Sequence, residues 1–292
     1  MSALIAVDWG TTSLRAARLG AQGQVEEERS SPQGILAVAA GGFPAALDAL
    51  CDGWHQDKTL TLMSGMVGSR QGWVEAPYCA CPAGFDDVAR QLVWLRPGQL
   101  AIVPGLSCEH DGVPDVMRGE EVQVFGALRL LGLQDATVVL PGTHSKWVTV
   151  RGSRIEGFTT FMTGEFYALL RRQSILSRTL PPDDGPLDAS AFDQGVAHAL
   201  TGHSLLGTAF SVRTLSLFER IAAESLPSYL SGLVIGEELR AQPAFPAAVV
   251  VIGSPDLAGR YQRALAPQGV TTHAVGHEAT WQGLWALSKT LG

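Results

Sequence analysis

The sequence predicts an α/β fold made of two similar units, because one uncommon pattern occurs twice along the chain. Near the N-terminus, four apolar residues lead into the turn 8–13, and an extended stretch follows it. About halfway along, the apolar residues 136–140 lead into the turn 141–144, and the chain again continues as an extended stretch. Apolar runs that end in Gly-Thr turns are typical of strands, whereas later segments repeat apolar residues at helical spacing. This mixture of strands and helices predicts an α/β protein.

The first unit is expected to begin with three strands, since a second turn at 20–23 is followed by another extended stretch. The spacing of Val124, Leu128 and Leu131 predicts a helix over 120–131, which we expect to lead into the second unit. The intervening sequence predicts a helix over 43–51, a strand over 59–63, a long loop over 65–84, an amphipathic helix over 85–95, a strand over 101–103 and a loop at 109–111.

The second unit should repeat the three-strand start, with its second turn at 151–154, and then become mainly helical. A loop rich in Pro and Asp is expected at 181–186. A strand over 248–252 should end at Gly253-Ser254, where Pro255 then opens a helix. The helices expected in the later part of the chain cover residues 165–170, 191–200, 215–224, 228–239, 255–265 and 278–291.

The composition is that of a globular protein and excludes two classes of partner. The chain has 292 residues, of which 46% are hydrophobic, enough for two domains with sizeable cores. Its net charge of −7, without blocks of like charge, argues against a nucleic-acid partner. No apolar run approaches the roughly 20 residues of a membrane span, and a strand pattern begins too early for a signal peptide. We therefore expect neither nucleic acid nor membrane as a partner, while a homo-oligomer is compatible with the sequence.

The cysteines indicate a reducing environment. Cys51, Cys79, Cys81 and Cys108 lack the paired Cys-x-x-Cys spacing of a zinc site. The Cys79-x-Cys81 spacing leaves a redox pair or a metal fragment open, but buried free thiols are the simpler interpretation. A cytoplasmic location is therefore expected.

The two Gly-Thr turns are the candidates for phosphate binding. Backbone N–H groups and hydroxyls of Gly10, Thr11 and Thr12 can donate to anionic oxygens, and Asp8 offers a carboxylate for a phosphate-bound Mg²⁺. Commoner nucleotide loops are absent from the sequence, since no two glycines are separated by one residue and no Gly-Lys pair occurs. Phosphate binding is therefore expected on β-turns. Arg15, on the next strand, either reaches the same site or is a surface charge.

Four segments in order resemble the 2-dehydro-3-deoxygalactonokinase family of the sugar kinase, Hsp70 and actin superfamily. The resemblance spans nearly the whole chain and implies two ribonuclease-H-like (actin-like ATPase) domains flanking a nucleotide and substrate cleft. The implied domains are 1–118, which carries the loop 65–84, and 119–277, which binds the nucleotide, with the helix 278–291 packing back on the first. The segments are Gly65–Trp73, Met117–Glu121, Pro141–Trp147 and Ile252–Pro255.

The resemblance implies ATP-dependent phosphorylation of the terminal 6-hydroxyl of 2-dehydro-3-deoxygalactonate, with Mg²⁺ held near Asp8. It assigns the second turn to the ATP phosphates and the strand end at 253–254 to the adenosine. Many relatives have an Asp at the start of the second turn, where this chain has Pro141. The implied nucleotide-binding residues are Gly10, Thr11, Thr12, Gly142, Thr143, His144, Lys146, Gly253 and Ser254.

Transfer of a phosphoryl group to a sugar hydroxyl needs a carboxylate base close to that hydroxyl. In related sugar kinases, the resemblance places this base before the helix that leads to the second turn. Glu120 and Glu121 occupy that place, and the positive end of the helix dipole also favours carboxylates there. We expect one of the two to be catalytic, with Glu120 slightly preferred, while simple helix capping is the alternative.

The loop 65–78 mixes hydrogen-bond donors with aromatic residues, as suits a small polar substrate. Arg70 can pair with a carboxylate, which a sugar acid carries. The alternative is a loop that packs by its aromatic residues. Segments 163–165 and 211–214 are weaker candidates for substrate contact. The predicted substrate-binding residues are Met66, Ser69, Arg70, Gln71, Trp73 and Tyr78.

Two other functions remain open at this stage. One is an ATPase switch of the actin or Hsp70 kind, and the other is a catalytically inactive module that binds a sugar acid. ATP turnover with and without sugar acids separates the three possibilities, because a switch turns over alone and a binding module never does. The preference for the galacto over the gluco epimer and the oligomeric state are not settled by the sequence.

Overall fold

A computed structural model describes residues 4–54, 59–242 and 244–291. The chain divides into two compact units. The first comprises the residues up to Val138, Val148–Thr159 and the residues from Val275 onward, and the second comprises Val139–Trp147 and Thr160–Ala274. Within the described ranges, no helix is both long enough and apolar enough to cross a lipid bilayer.

The strands form three sheets, with orders β3-β2-β1-β4-β7-β6, β12-β11-β10-β13-β14 and β5-β8-β9. In chain order they are β1 (Leu4–Trp9), β2 (Leu14–Leu19), β3 (Val25–Ser31), β4 (Leu60–Gly65), β5 (Tyr78–Ala80), β6 (Val93–Arg96), β7 (Leu100–Ile102), β8 (Gly105–His110), β9 (Val113–Met117), β10 (Ala136–Leu140), β11 (Ser145–Arg151), β12 (Arg154–Phe161), β13 (Ala248–Ile252) and β14 (Thr271–Val275).

The other regular elements are α-helices and short 3₁₀ turns, including Met66–Gly68. The α-helices are α1 (Phe43–Leu50), α2 (Phe85–Arg90), α3 (Glu120–Leu131), α4 (Thr163–Gln173), α5 (Ala189–Ala199), α6 (Leu205–Thr208), α7 (Ser211–Leu217), α8 (Leu226–Arg240), α9 (Pro255–Leu265) and α10 (Glu278–Lys289).

The core of the first unit follows from the alternation of side chains along β1. Ile5, Val7 and Trp9 point to one face and pack with Phe43 and Leu47 of α1. β1 lies between β2, which runs antiparallel to it, and β4, which runs parallel. Helices α3 and α10 pack on each other, and α10 also contacts β1, β2 and β4. Because β1 is covered on both faces, its end is a fixed platform for the residues that follow.

The second unit has its core between helices and the five-stranded sheet. Helices α5 and α8 approach so closely that a Cβ on Gly195 would lie 2.2 Å from the Tyr229 carbonyl oxygen. A Cβ on Gly232 would likewise lie 2.1 Å from the Phe192 carbonyl oxygen. Helix α8 is therefore buried along nearly its whole length, and a polar side chain on it lies inside the unit.

Most predicted elements are confirmed, including both three-strand starts, α3, β13 and α9 with the bounds expected. The helix predicted over 85–95 is wrong beyond Arg90, because Val93–Arg96 forms a strand that the turn at Pro97-Gly98 pairs with β7. The helix predicted over 215–224 is also wrong, since α7 ends at Leu217 and Glu219 follows with a positive φ of 52°.

Two further corrections concern short strands. The loop expected at 109–111 is the end of the hairpin β8–β9, whose turn is Asp111-Gly112 with φ of 52° and 80°. Asp-Gly is a strong hairpin signal, because both turn residues need a positive φ. The long loop over 65–84 contains β5, and β14 was not predicted. The helix 120–131 lies in the first unit, and its expected role of leading into the second stays a prediction.

Substitution of Gly126 by Ala should destabilise the first unit, because a Cβ there would lie 1.7 Å from the Ala279 carbonyl oxygen of α10. We expect a loss of roughly 1–3 kcal/mol in the free energy of unfolding, measured by urea titration. Gly259→Ala is the matched control, since a Cβ on this helical glycine meets no atom within 4 Å. The control should stabilise the protein by about 0.5–1 kcal/mol, and equal effects of the two variants would contradict the packing argument.

Candidate active site

In the first unit, two strand ends bring polar groups together. Parallel pairing sets Asp8 opposite Ser64 and Trp9 opposite Gly65. Gly65 has a φ of +91°, and a Cβ there would lie 2.9 Å from the Trp9 carbonyl oxygen and 3.3 Å from Asp8 Oδ1. Few side chains tolerate that φ, and none fits that space. The chain after β4 therefore passes directly beside the Asp8 carboxylate.

The start of α3 reaches the same place. Gly119 has a φ of +104°, and a Cβ on it would lie 3.2 Å from the Cα of Gly65. Glu120 and Glu121 follow as the first residues of α3. The structure thus brings the predicted catalytic carboxylates to the end of the sheet that carries Asp8.

The two glutamates differ in their surroundings, although both accept a hydrogen bond from the backbone before α3. Glu120 Oε2 accepts from the Arg118 N–H at 2.9 Å, and Glu121 Oε2 accepts from the Gly119 N–H at 2.7 Å. Glu121 is fully buried, and its Oε1 has no hydrogen-bond partner in the described part of the chain, whereas Glu120 is half-buried. Burial, followed by the charge of Glu120, raises the pKa of Glu121 to about 8. The carboxyl group of Glu121 is therefore mostly protonated at pH 7, and Glu120 is the more accessible carboxylate.

Asp8 is already paired within the first unit. Arg15 Nη2 lies 2.5 Å from Asp8 Oδ2, which places the guanidinium at the predicted site instead of on an isolated surface. The adjoining turn is closed by the Gly10 N–H, which donates to the Ser13 carbonyl at 2.8 Å. The carbonyl of Gly10 accepts from the Ile35 N–H at 3.0 Å, so this side of the turn faces the protein. The side chains of Thr11 and Thr12 are exposed and available to a ligand.

The predicted substrate loop is held by its own packing. Trp73 stacks on Phe43 with ring centroids 6.1 Å apart, so this ring serves packing, as the alternative interpretation expected. Arg118 Nη2 donates to the Ala76 carbonyl at 2.8 Å, and its guanidinium lies 4.4 Å from the centroid of the Tyr78 ring. The loop is thus tied to the segment that leads into α3.

The other predicted substrate residues have different degrees of exposure. Arg70 is 87% exposed and lies 3.5 Å from Glu75. Gln71 is also exposed, whereas Met66 and Ser69 are half-buried, and the Ser69 hydroxyl has no hydrogen-bond partner. Of this set, Arg70 is the charged group best placed to meet a ligand from solvent.

The second Gly-Thr turn is joined to the start of α4. A Cβ on Gly164 would lie 2.4 Å from the Gly142 carbonyl oxygen, and the Glu165 N–H donates to the Thr143 carbonyl at 3.0 Å. His144 Nε2 lies 2.7 Å from Glu165 Oε2, with both side chains partly exposed. The turn therefore presents an exposed imidazole that a carboxylate orients. The sequence singled out both residues, but not their pairing.

Lys146 differs from the expectation of a phosphate-binding point charge. Its side chain is buried, and Nζ donates to Thr160 Oγ1 at 2.8 Å. The ammonium group is therefore held beside β12 instead of standing in the exposed turn. Lys146 follows Ser145 on β11, where both side chains are buried.

The strand end at Gly253-Ser254 lies beside the second turn. A Cβ on Gly253 would lie 3.7 Å from Pro141 Cδ. Ser254 is the N-cap of α9, and its hydroxyl accepts from the Leu257 N–H at 3.5 Å. Two of the predicted nucleotide-binding segments therefore meet within the second unit.

A cavity of about 230 Å³ opens next to these two segments. Its volume is close to the lower end of small-molecule sites, roughly 300–1,000 Å³. Arg260 Nη1 donates to Ser231 Oγ at 2.7 Å in its wall, and Asp184 accepts from the Tyr167 hydroxyl at 2.9 Å. The lining residues are Gly142, Thr163, Gly164, Tyr167, Asp184, Ser231, Val234, Ile235, Asp256, Leu257, Arg260 and Tyr261.

Sequence reasoning named Gly142, Thr163 and Gly164 of this wall but missed its other residues. The segment 181–186 was expected to be a solvated loop, yet its Asp184 lines the cavity. Glu238, behind the wall, was also missed, although the pair Glu237-Glu238 directly after the mainly apolar stretch 229–236 of α8 was a usable signal. Buried carboxylates are uncommon because their desolvation is costly, and they usually have a dedicated set of donors.

This chain is similar in sequence to members of one protein family. The 2-keto-3-deoxy-galactonokinase family model matches residues 8–287. The 2-dehydro-3-deoxygalactonokinase of Escherichia coli (strain K12) is 36% identical over 281 residues, which cover 95% of this chain and 94% of that protein. A crystal structure of a Sinorhizobium meliloti protein, provisionally named a 2-dehydro-3-deoxygalactonokinase, has a TM-score of 0.91 at 36% identity and covers 100% of this chain and 99% of its own.

A more distant similarity concerns the fold alone. The activator of 2-hydroxyisocaproyl-CoA dehydratase from Clostridium difficile, solved with bound ADPNP, has a TM-score of 0.53 at 12% identity and covers 99% of this chain and 96% of its own. Together with the observed sheets and helices, this similarity confirms the predicted α/β fold.

The buried Glu121 should make stability depend on pH. Its pKa is raised from 4.5 to about 8, so the folded state loses stability as pH rises through that range, because the unfolded chain releases this proton while the folded chain retains it. Glu121→Gln should therefore gain stability over the wild type by an amount that grows between about pH 5 and about pH 8. Urea titrations at the two pH values measure this gain, and Glu75→Gln controls for the loss of one exposed carboxylate. A gain of the same size at both pH values would contradict the assignment.

Proposed function

We propose that this chain, which belongs to the 2-keto-3-deoxy-galactonokinase family, transfers the terminal phosphoryl group of ATP to 2-dehydro-3-deoxygalactonate. One observation supports the chemistry most directly. The chain places a half-buried glutamate, a Gly-Thr turn and Asp8 at the same end of one sheet. Phosphoryl transfer needs a group that orients the acceptor hydroxyl, hydrogen-bond donors for the phosphates and a metal ion. In this proposal the glutamate orients the hydroxyl, the Gly-Thr turn donates to the phosphates, and Asp8 helps to hold the metal.

Glu120 is proposed as the residue that accepts the proton of the sugar 6-hydroxyl. It is half-buried, whereas Glu121 is fully buried and turned back to the Gly119 N–H. A base must reach the hydroxyl within hydrogen-bond distance, which favours the accessible carboxylate. Glu121 is proposed instead to hold the Gly119 turn in place, so that Glu120 enters α3 beside Gly65.

The second unit is proposed to bind the nucleotide. The cavity beside α9 suits the adenosine, and the turn formed by the half-buried Gly142 and the exposed Thr143 suits the phosphates. His144 is proposed to donate to a phosphate oxygen from a position that Glu165 fixes. Because Lys146 is buried against Thr160, His144 is the more accessible of the two for binding a phosphate.

Mg²⁺ is proposed as the metal and fits a site with few protein ligands. In the described part of the chain, no cluster of three or more His, Cys, Asp and Glu residues could hold a metal ion. Asp8 has Oδ2 beside Arg15 and Oδ1 toward Gly65, so it suits a metal held mainly through water and phosphate oxygens. When bound, Mg²⁺ neutralises charge on the phosphates, while Arg15 keeps the Asp8 carboxylate oriented.

The acceptor is proposed to bind at the loop 66–78, where Arg70 is free to turn from Glu75 toward a substrate carboxylate. The division into domains 1–118 and 119–277 is part of this proposal. A cytoplasmic location, which suits the free cysteines, is also part of it. The two alternatives, an ATPase switch and an inactive binding module, are not favoured by the family.

Release of ADP tests the proposed function directly. Purified protein with ATP and Mg²⁺ should release ADP only when 2-dehydro-3-deoxygalactonate is present. The matched control is the same acid without its 6-hydroxyl, which should bind but not accept a phosphoryl group. Rapid ADP release without any acid would indicate a switch, and no release with the acid would indicate a binding module.

Glu120→Gln should lower kcat by roughly 10²–10⁴-fold, the usual effect of removing a general base. ATP affinity should change little, because the carboxylate is proposed to face the sugar hydroxyl. Glu121→Gln should lower kcat less, since the amide can still accept from the Gly119 N–H. Steady-state kinetics with both variants measure the difference, and the reverse order of effects would move the catalytic role to Glu121.

A further inference from the structure

Glu238 is a charged residue that lies deep inside the second unit. It belongs to α8 and is 2% exposed. Burial raises the pKa of its carboxyl, while four side-chain hydrogen bonds lower it in part. A buried carboxylate is costly unless donors satisfy its oxygens, and here the donors come from several segments.

Each oxygen of the Glu238 carboxylate accepts two hydrogen bonds. Oε1 accepts from Ser145 Oγ at 2.8 Å and from Trp147 Nε1 at 2.6 Å. Oε2 accepts from the Tyr261 hydroxyl at 2.7 Å and from the Thr163 hydroxyl. The four donors belong to β11, α4 and α9, so one carboxylate joins three segments that are distant in the sequence.

Each of these segments carries part of the candidate nucleotide site. Ser145 directly follows His144 of the second turn. Thr163 lines the cavity and directly precedes Gly164, whose backbone packs on Gly142. Tyr261 lines the cavity as well. Displacement of the Glu238 carboxylate would therefore loosen the turn and the cavity wall together.

We propose that Glu238 is a positioning residue for ATP, which fixes the phosphate-binding turn relative to the wall of the adenosine cavity. This inference rests on the proposed function, because it assigns the turn and the cavity to one nucleotide. Glu238 does not line the cavity itself and acts through Ser145, Thr163 and Tyr261.

The charge of Glu238 is what the donors require. An ionised carboxylate only accepts, and the Trp147 N–H only donates. In Glu238→Gln, the amide oxygen must stay with Trp147 and Ser145, so the NH₂ group faces two hydroxyls that previously donated. Thr163 and Tyr261 must then turn their protons elsewhere, and Ser145 Oγ, 3.3 Å from the Tyr261 hydroxyl, offers one acceptor. The substitution keeps the shape of the residue but removes the charge-assisted bonds that orient the wall.

Glu238→Gln should raise the KM for ATP and the Kd for ADP about tenfold and should lower kcat. The KM for the sugar acid should stay unchanged, since the first unit holds the proposed acceptor loop. Steady-state kinetics and calorimetric titration with ADP measure these values. If Glu238 had only a structural role, the substitution would lower the melting temperature without raising the KM for ATP relative to the KM for the sugar acid.

Tyr229→Phe is the matched control on the same helix. It removes a buried hydroxyl that bonds His198 Nδ1 at 2.6 Å and Ser211 Oγ at 2.8 Å, away from the cavity lining. This variant should lose stability while its Kd for ADP stays that of the wild type. Tyr261→Phe removes a single donor to Glu238 and should shift the Kd for ADP in the same direction by a smaller factor, even if Glu238→Gln does not fold.

Wild-type values of KM for ATP and Kd for ADP in Tyr261→Phe and in a folded Glu238→Gln would overturn the proposal. Equal losses of ADP affinity in Tyr229→Phe and Tyr261→Phe would also overturn it, because the effect would then be one of general stability. If the wild-type chain binds ADP but phosphorylates no sugar acid, the proposed function fails, and the ADP affinities still decide the role of Glu238.

Discussion

The candidate site depends on backbone segments that approach more closely than any side chain allows. A Cβ on Gly65 would lie 2.9 Å from a carbonyl oxygen of β1, and a Cβ on Gly119 would lie 3.2 Å from Gly65 itself. In the second unit, a Cβ on Gly164 would lie 2.4 Å from the Gly142 carbonyl oxygen. Glycine at these positions sets where the strand ends meet the helix starts, and the functional side chains follow from that placement.

Two buried carboxylates, Glu238 and Glu121, differ in how fully their oxygens are hydrogen-bonded. Glu238 has four donors and no uncompensated oxygen, so its burial is supported by hydrogen bonds from three segments. Glu121 Oε2 accepts from the Gly119 N–H, whereas its Oε1 has no hydrogen-bond partner among the described residues. A partly satisfied buried acid is destabilising, and it persists where the surrounding fold holds it. We infer that the first unit tolerates this cost because Glu121 holds the turn from which Glu120 enters the site.

The period of apolar residues was enough to predict most strands and helices, while the Gly-Thr turns were predicted from their residue types and the family from the resemblance of four segments. Apolar periodicity failed at short segments whose structure depends on an adjacent turn. At Val93–Arg96, the following Pro-Gly turn gives a strand in place of the predicted helix. The site was predicted as separate residues, because spacing says nothing of pairing between distant segments. The contacts of His144 with Glu165 and of Lys146 with Thr160 depend on tertiary structure, as does the set of donors around Glu238.

The kinetic effect of Gly65→Ala, compared with Gly112→Ala, tests the central role of close backbone approach most directly. Both glycines have a positive φ, +91° and +80°, so both variants should lose about 1 kcal/mol or more of stability. Gly112 has nothing within 4 Å of a Cβ, whereas at Gly65 the added carbon would meet Trp9 and Asp8. We predict a large fall in kcat for Gly65→Ala alone, measured on folded protein. Unchanged kcat in Gly65→Ala, or an equal fall in both variants, would contradict the account.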